Sequence, residues 1–249
     1  MYLEDELHVS YKLGNVPINY FPFPHFYCEN VFSNHFYKKI QENLPDESYL
    51  FPFPEKRPGP KVELYKERLV LSLEDQDISQ LPNCDFWITF RNQMLGGGLK
   101  NFLISRFSDI LNNIHPNFKN YRTYSEMLIV KDKENYALGP HTDSSKKLIT
   151  ILFYFPFDNS EENNGTSIYM PKDFKFTCSG GPHYKKENFN LVYTAPFKDN
   201  SAFGFVKTNN SFHGVEKVKK LLIDGFFFMI FILKKLILVG IILRSVFNI

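Results

Sequence analysis

Beyond Tyr121 the apolar residues fall into short runs separated by Asn, Gly, Pro and Asp. The runs are RTYSEMLIVKD, KKLITILFYFPF, TSIYMPK, NLVYTAPF, SAFGFVKT and SFHGVEKV. Each is rich in β-branched and aromatic residues and bounded by turn formers, which predicts a strand. Several such strands in succession predict a sandwich or barrel. The first half of the chain carries a helical period instead. Ser33 is placed to cap a helix running to about Leu44, with Phe36 and Ile40 on one face. A second helical region is expected over about 85–112, broken by three glycines at 96–98. The Pro-rich stretch 51–61 reads as loop. The pattern therefore predicts helices over about 1–120 and a β core over about 121–220, a mainly β, α+β arrangement.

Composition narrows the function classes. The chain has 249 residues, enough for one domain or one domain with an extension. It is 43% hydrophobic and 17% aromatic, with 27 Phe and 14 Tyr, ample for a core. A net charge of +2, with scattered lysines, gives no basic stripe for nucleic acid. Cys28, Cys84 and Cys178 are odd in number and far apart, which suggests neither a disulfide framework nor a zinc knuckle. The opening MYLEDELHVS lacks the basic-then-apolar order of a signal peptide, so a reduced, cytoplasmic setting is the expectation.

Chemistry concentrates in GPHTD, which precedes the longest strand-like run. If this segment is extended, His141 and Asp143 point to one side, because side chains two apart share a strand face. SFHGVEKV adds His213, seventy residues after Asp143. Two imidazoles and one carboxylate leave half of an octahedron open, a set suited to Fe(II) enzymes that bind oxygen and a second ligand together. By itself, His-X-Asp is a weak signal, more often a turn with a capping Asp than a metal site.

The segments GPHTD, LITILFYFP, GTSIYMP and AFGFVKTNNSFHGVE, with the lead-in FPFPHFYCENVFSNHFYKKIQENLP, together resemble the 2-oxoglutarate/Fe(II)-dependent oxygenase superfamily. They are most similar to its prolyl-hydroxylase-like members, and the resemblance runs over about 19–220. It implies a double-stranded β-helix core, a jelly-roll or cupin-like fold, with helices packed outside. It implies that His141, Asp143 and His213 hold iron. It also implies use of 2-oxoglutarate and molecular oxygen, with ascorbate as a further reagent, and release of succinate and carbon dioxide as a substrate is hydroxylated. That substrate is a protein side chain or a small molecule; nucleic acid is not expected.

The family also places an Arg or Lys about ten residues after its second histidine, to pair with the distal carboxylate of 2-oxoglutarate. Here that position falls near Ile223 and Asp224, and neither is a cation. Lys219 and Lys220 come earlier. The tail LLIDGFFFMIFILKKLILVGIILRSVFNI is far more apolar than the rest of the chain. As a membrane span it is interrupted by Asp224, Lys234 and Lys235, and its uninterrupted runs are short. A reading-frame slip explains both oddities better. With one choice of synonymous codons, Leu222 to Ile232 displaced by two bases encodes Asp-Arg-Trp-Phe-Phe-Leu-Tyr-Asp-Ile-Tyr, which contains the missing Arg. A membrane association is not expected.

Other polar groups are expected near the cosubstrate. Thr150 and Tyr154 lie four apart on one strand face, and Tyr124 lies on a preceding strand. Inward hydroxyls satisfied by their neighbours are the alternative. His183, in the Gly-rich loop GGPHYKK, is the expected substrate contact, since loops rim the mouths of such folds. Phe153, Tyr154, Phe155 and Phe203 read mainly as core and secondarily as a dry wall for the site. Lys207 and Asn209 read as turn and surface, His35 as helix surface, and Gly165 as a tight-turn residue.

Overall fold

A computed structural model of the chain describes residues 2–56, 62–156, 159–218 and 226–235. Two antiparallel sheets form its centre. The larger has seven strands in the order β1 (His25–Glu29), β9 (Ser201–Val206), β6 (Lys147–Phe155), β11 (Phe226–Lys235), β4 (Thr123–Asp132), β3 (Arg68–Ser72) and β2 (Phe51–Pro52). The smaller has four: β5 (Leu138–His141), β10 (His213–Val215), β7 (Thr166–Pro171) and β8 (Phe189–Thr194). From β4 onward the chain keeps crossing between sheets, the winding of a double-stranded β-helix. All six predicted strand runs form strands.

Alternation along each central strand explains the layering. On β6, Ile149, Ile151, Phe153 and Phe155 face one core, while Tyr154 faces the other. The first core lies between the large sheet and the helices α1 (Tyr2–Asn15), α2 (Asn34–Glu42), α5 (Cys84–Leu95), α6 (Gly98–Arg106) and α7 (Ser108–Ile114), with Trp87 and Phe90 fully buried in it. Two one-turn helices, α3 (Phe53–Lys56) and α4 (Asp75–Ile78), connect elements beside it. The second core lies between the sheets and joins Val70, Leu128, Phe203 and Phe205 to Leu138 and Ile168. Ser33 caps α2 by accepting from the Phe36 N–H, and Phe36 and Ile40 are buried beneath it, as the period predicts.

Several expectations need correction. The first half is not purely helical, because β1, β2 and β3 come from it and extend the large sheet at both edges. β1 is hidden in sequence by the Pro-interrupted aromatics before it. Residues 51–56 form a short strand and a helical turn rather than loop; 57–61 lie outside the described residues. Gly165 is not a positive-φ turn: a Cβ there would lie 1.9 Å from the Ala195 carbonyl oxygen, so close backbone approach requires glycine. Lys207 is buried, donating to the Thr208 carbonyl and the Asn209 side chain, whereas Asn209 and His35 are exposed.

The apolar tail contributes β11, which pairs with β4 along ten residues and with β6 along eight. Residues 219–225 and 236–249 lie outside the described residues, and with them the position where the family places its cation. Among the described residues, no helix is long and apolar enough to cross a membrane.

Candidate metal centre

His141 ends β5 and His213 begins β10, and the two are direct antiparallel partners. Cross-strand partners on one face bring their side chains together, and the imidazole centroids are 4.3 Å apart. Asp143 lies past the end of β5, so strand alternation does not place it, contrary to expectation. Its loop is held from behind: Thr142 Oγ1 donates to the Cys178 carbonyl at 2.8 Å, and Gly180 packs against the Asp143 carbonyl. Gly180 has φ of +129°, and a Cβ there would lie 2.4 Å from that oxygen, so both conformation and space require glycine. The result is a buried triad. Ligand atoms of His141, Asp143 and His213 lie within 4.8 Å of one another.

Protonation in this site favours a cation. His141 Nδ1 lies 3.1 Å from the Gly139 carbonyl and His213 Nδ1 lies 2.9 Å from the Ser211 carbonyl. A carbonyl only accepts, so each Nδ1 carries the hydrogen, and each Nε2 is left as a lone-pair donor. Burial pushes both imidazoles below the ordinary histidine range, and the neighbouring histidines press His141 further down. Burial would raise the Asp143 carboxyl, but the Lys147 ammonium, and the imidazoles at the acid pH where they carry a proton, outweigh it, and the net shift is well downward. Two neutral imidazoles and an ionised carboxylate are the states a divalent ion needs.

Around the triad runs a cleft of about 170 Å³. Leu128, Leu138, Leu152, Phe205, Val215 and Ile232 supply its apolar wall. Thr150 lines it and donates to Asp143 Oδ2 at 3.1 Å. Tyr154 points to the same side but is occupied by Thr166: its hydroxyl donates to Thr166 Oγ1 at 3.0 Å and accepts from the Thr166 N–H. Tyr124 is half-exposed beside the Lys234 ammonium and is not part of the lining. His183 stacks on His141 with centroids 4.3 Å apart, and its Nε2 lies 3.2 Å from the Tyr65 hydroxyl. Of the expected dry wall, Phe153 and Phe155 belong to the helix-side core, and Tyr154 and Phe203 to the inter-sheet core.

Three cations lining the cleft escaped sequence reasoning. Arg68, on β3, makes a bidentate pair with Asp132 at 2.6 and 2.7 Å. Lys234, on β11, pairs with Glu126. Lys147 donates to Asp143 Oδ1 at 2.7 Å. Strict alternation would turn Lys147 away from the cleft. A bulge opposite Leu233 and Lys234 puts Leu148 and Ile149 both into the helix-side core, and this re-aims Lys147. The i+4 spacing of Lys147 from Asp143, on opposite sides of a turn, was the available signal.

No family model matches the chain, and no curated protein matches it by sequence. Solved structures do. A Pseudomonas putida prolyl-4-hydroxylase matches with a TM-score of 0.52 and 8% identity, covering 93% of this chain and 99% of that one. An oxidoreductase of the 2OG-Fe(II) oxygenase family from Burkholderia pseudomallei covers 92% of this chain and 89% of its own, with a TM-score of 0.49 and 12% identity. At such identities the shared property is the architecture. The fold of this chain is that of the 2-oxoglutarate/Fe(II) oxygenases.

Proposed function

We propose that the protein is a non-heme Fe(II)- and 2-oxoglutarate-dependent dioxygenase that hydroxylates a protein side chain or a small molecule. The observation that carries this reading is the buried triad. Two neutral imidazoles, both with Nε2 free of backbone, and one ionised carboxylate stand at the mouth of a β-helix of the matching fold. A ferrous ion and 2-oxoglutarate bound there would supply oxygen activation, with succinate and carbon dioxide as products. His141, Asp143 and His213 would hold the metal. Thr150 would orient Asp143 and offer its oxygen toward the cosubstrate, with Tyr154 supporting through Thr166 and Tyr124 at the rim. The apolar wall would keep water from the reacting centre. His183, stacked on a ligand and facing Tyr65, would meet the substrate.

The full-length protein, supplied with Fe(II), ascorbate, 2-oxoglutarate and oxygen, is expected to form succinate, and His141→Ala to abolish it. Absence of succinate across prolyl peptides and varied small molecules would contradict the reading. A second reading, a jelly-roll binding module without catalysis, is favoured by one observation: each cation lining the cleft is already paired with a carboxylate. Iron-free protein whose His141→Ala variant behaves identically would support that alternative. Sequencing the gene through codons 219–249 tests the frame slip, which requires an Arg codon in a displaced frame.

A further inference from the structure

Two of the three cleft cations pair with carboxylates outside the metal triad: Asp132 for Arg68 and Glu126 for Lys234. The third pair differs, because Asp143 is also the carboxylate of the metal triad. A divalent ion held by Asp143 would sit within a few ångströms of the Lys147 ammonium. In a buried site that repulsion is weakly screened. Lys147 must then leave or meet an anion. It is also the cation best able to move: its side chain is 22% exposed, against 9% for Arg68 and 11% for Lys234. Thr150 retains the other carboxylate oxygen, so Asp143 stays oriented when the lysine turns away.

Charge calls for an anion, and the oxygenase reading supplies one. The Arg68 and Lys234 pairs cancel internally. A divalent ion, the Lys147 ammonium and the Asp143 carboxylate sum to two positive charges, and the buried Lys207 ammonium adds to the positive field at Asp143. A dicarboxylate with two negative charges offsets that sum.

We propose that Lys147 is an exchangeable counter-ion, which neutralises Asp143 in the metal-free protein and turns to the metal-proximal carboxylate of 2-oxoglutarate once a divalent ion has taken Asp143. The inference rests on the oxygenase reading above. It makes metal and cosubstrate binding positively coupled, metal first, through one side chain.

The test uses Mn(II), whose free concentration is read by electron paramagnetic resonance, and calorimetric binding of 2-oxoglutarate to Mn(II)-loaded protein. Lys147→Met is expected to tighten Mn(II) binding severalfold, because a competing cation is gone. The same variant should weaken 2-oxoglutarate binding by about tenfold or more, the loss of a charge-assisted contact. Lys147→Arg should restore most of the second effect. Lys147→Gln serves if the Met variant does not fold. Opposite signs for metal and cosubstrate support the exchange. Weakening of both means that Lys147 merely props Asp143, and this overturns it, as does no change in either. If wild-type protein binds no Mn(II), the oxygenase reading falls and the exchange with it; if it binds Mn(II) and only the sign pattern fails, the exchange alone falls.

Discussion

The two faces of β6 put one strand to opposite uses. Toward the helices it presents Leu148, Ile149, Ile151, Phe153 and Phe155, all in one apolar core. Toward the small sheet it presents Lys147, Thr150, Leu152 and Tyr154, where every buried polar group has a named partner: Asp143 for the first two and Thr166 for the tyrosine. The outer face gains from burial alone and tolerates no gap. The inner face buries charge and hydroxyls, which is costly unless they are paired. Stability is therefore concentrated on the helix side and chemistry on the cleft side. The bulge opposite Leu233 and Lys234 marks the boundary, because it transfers Lys147 from one side to the other.

Substitutions on the two faces should separate these roles. The largest effect is expected on the outer face. Phe153→Ala, which removes a ring packed 5.2 Å from that of Phe32, should cost about 3–5 kcal/mol in urea unfolding. Loss of less than about 1 kcal/mol would break the contrast. Next comes Asp143→Ala on the inner side. It should weaken divalent-metal binding by more than about 100-fold, exceeding the loss typical of groups that only support ligands, while leaving the helix-side core intact. Equal metal affinity in the variant would place the site elsewhere.

A third effect is pH-dependent and smaller. His141 and His213 are depressed below 6.5 in the folded protein, chiefly by burial. Below about pH 6.5 the unfolded chain binds protons that the folded chain refuses, so folded stability falls as pH falls. Asp143, also depressed, adds stability that is lost only at much lower pH, as its carboxyl protonates. The melting temperature of metal-free protein should decline from about pH 6.5 to 5, and less steeply in His141→Gln. A slope unchanged by that substitution would contradict the burial argument. The smallest effect is expected at the rim. Tyr124→Phe, at a half-exposed position outside the cleft lining, should change stability by less than about 0.5 kcal/mol and leave Mn(II) affinity unaltered.

What could be read from sequence divides along the same line. The six strand runs, the Ser33 cap and the helix break at 96–98 were legible because period and turn chemistry are local. The N-terminal helix α1 falls within the helical expectation for 1–120 but is not placed individually by the sequence pattern. The strands β1 and β3 were missed because their partners, β9 and β4, lie far along the chain. The metal triad was legible as residue types, and its histidines meet by register, but Asp143 arrives by a loop held in place by Gly180 and Thr142. Lys147 was invisible to alternation because a bulge broke the period. The apolar tail reads from sequence as a membrane span or, better, a frame-shifted end of the core; residues 226–235 lie at the centre of the large sheet, between β4 and β6.

The most direct measurement is a crystal of the full chain grown without oxygen and soaked with Fe(II), with anomalous scattering recorded at the iron edge. A single strong peak bonded to His141 Nε2, His213 Nε2 and an Asp143 carboxylate oxygen is the expected result. An iron peak elsewhere, or none between these three side chains at saturating iron, would contradict the account.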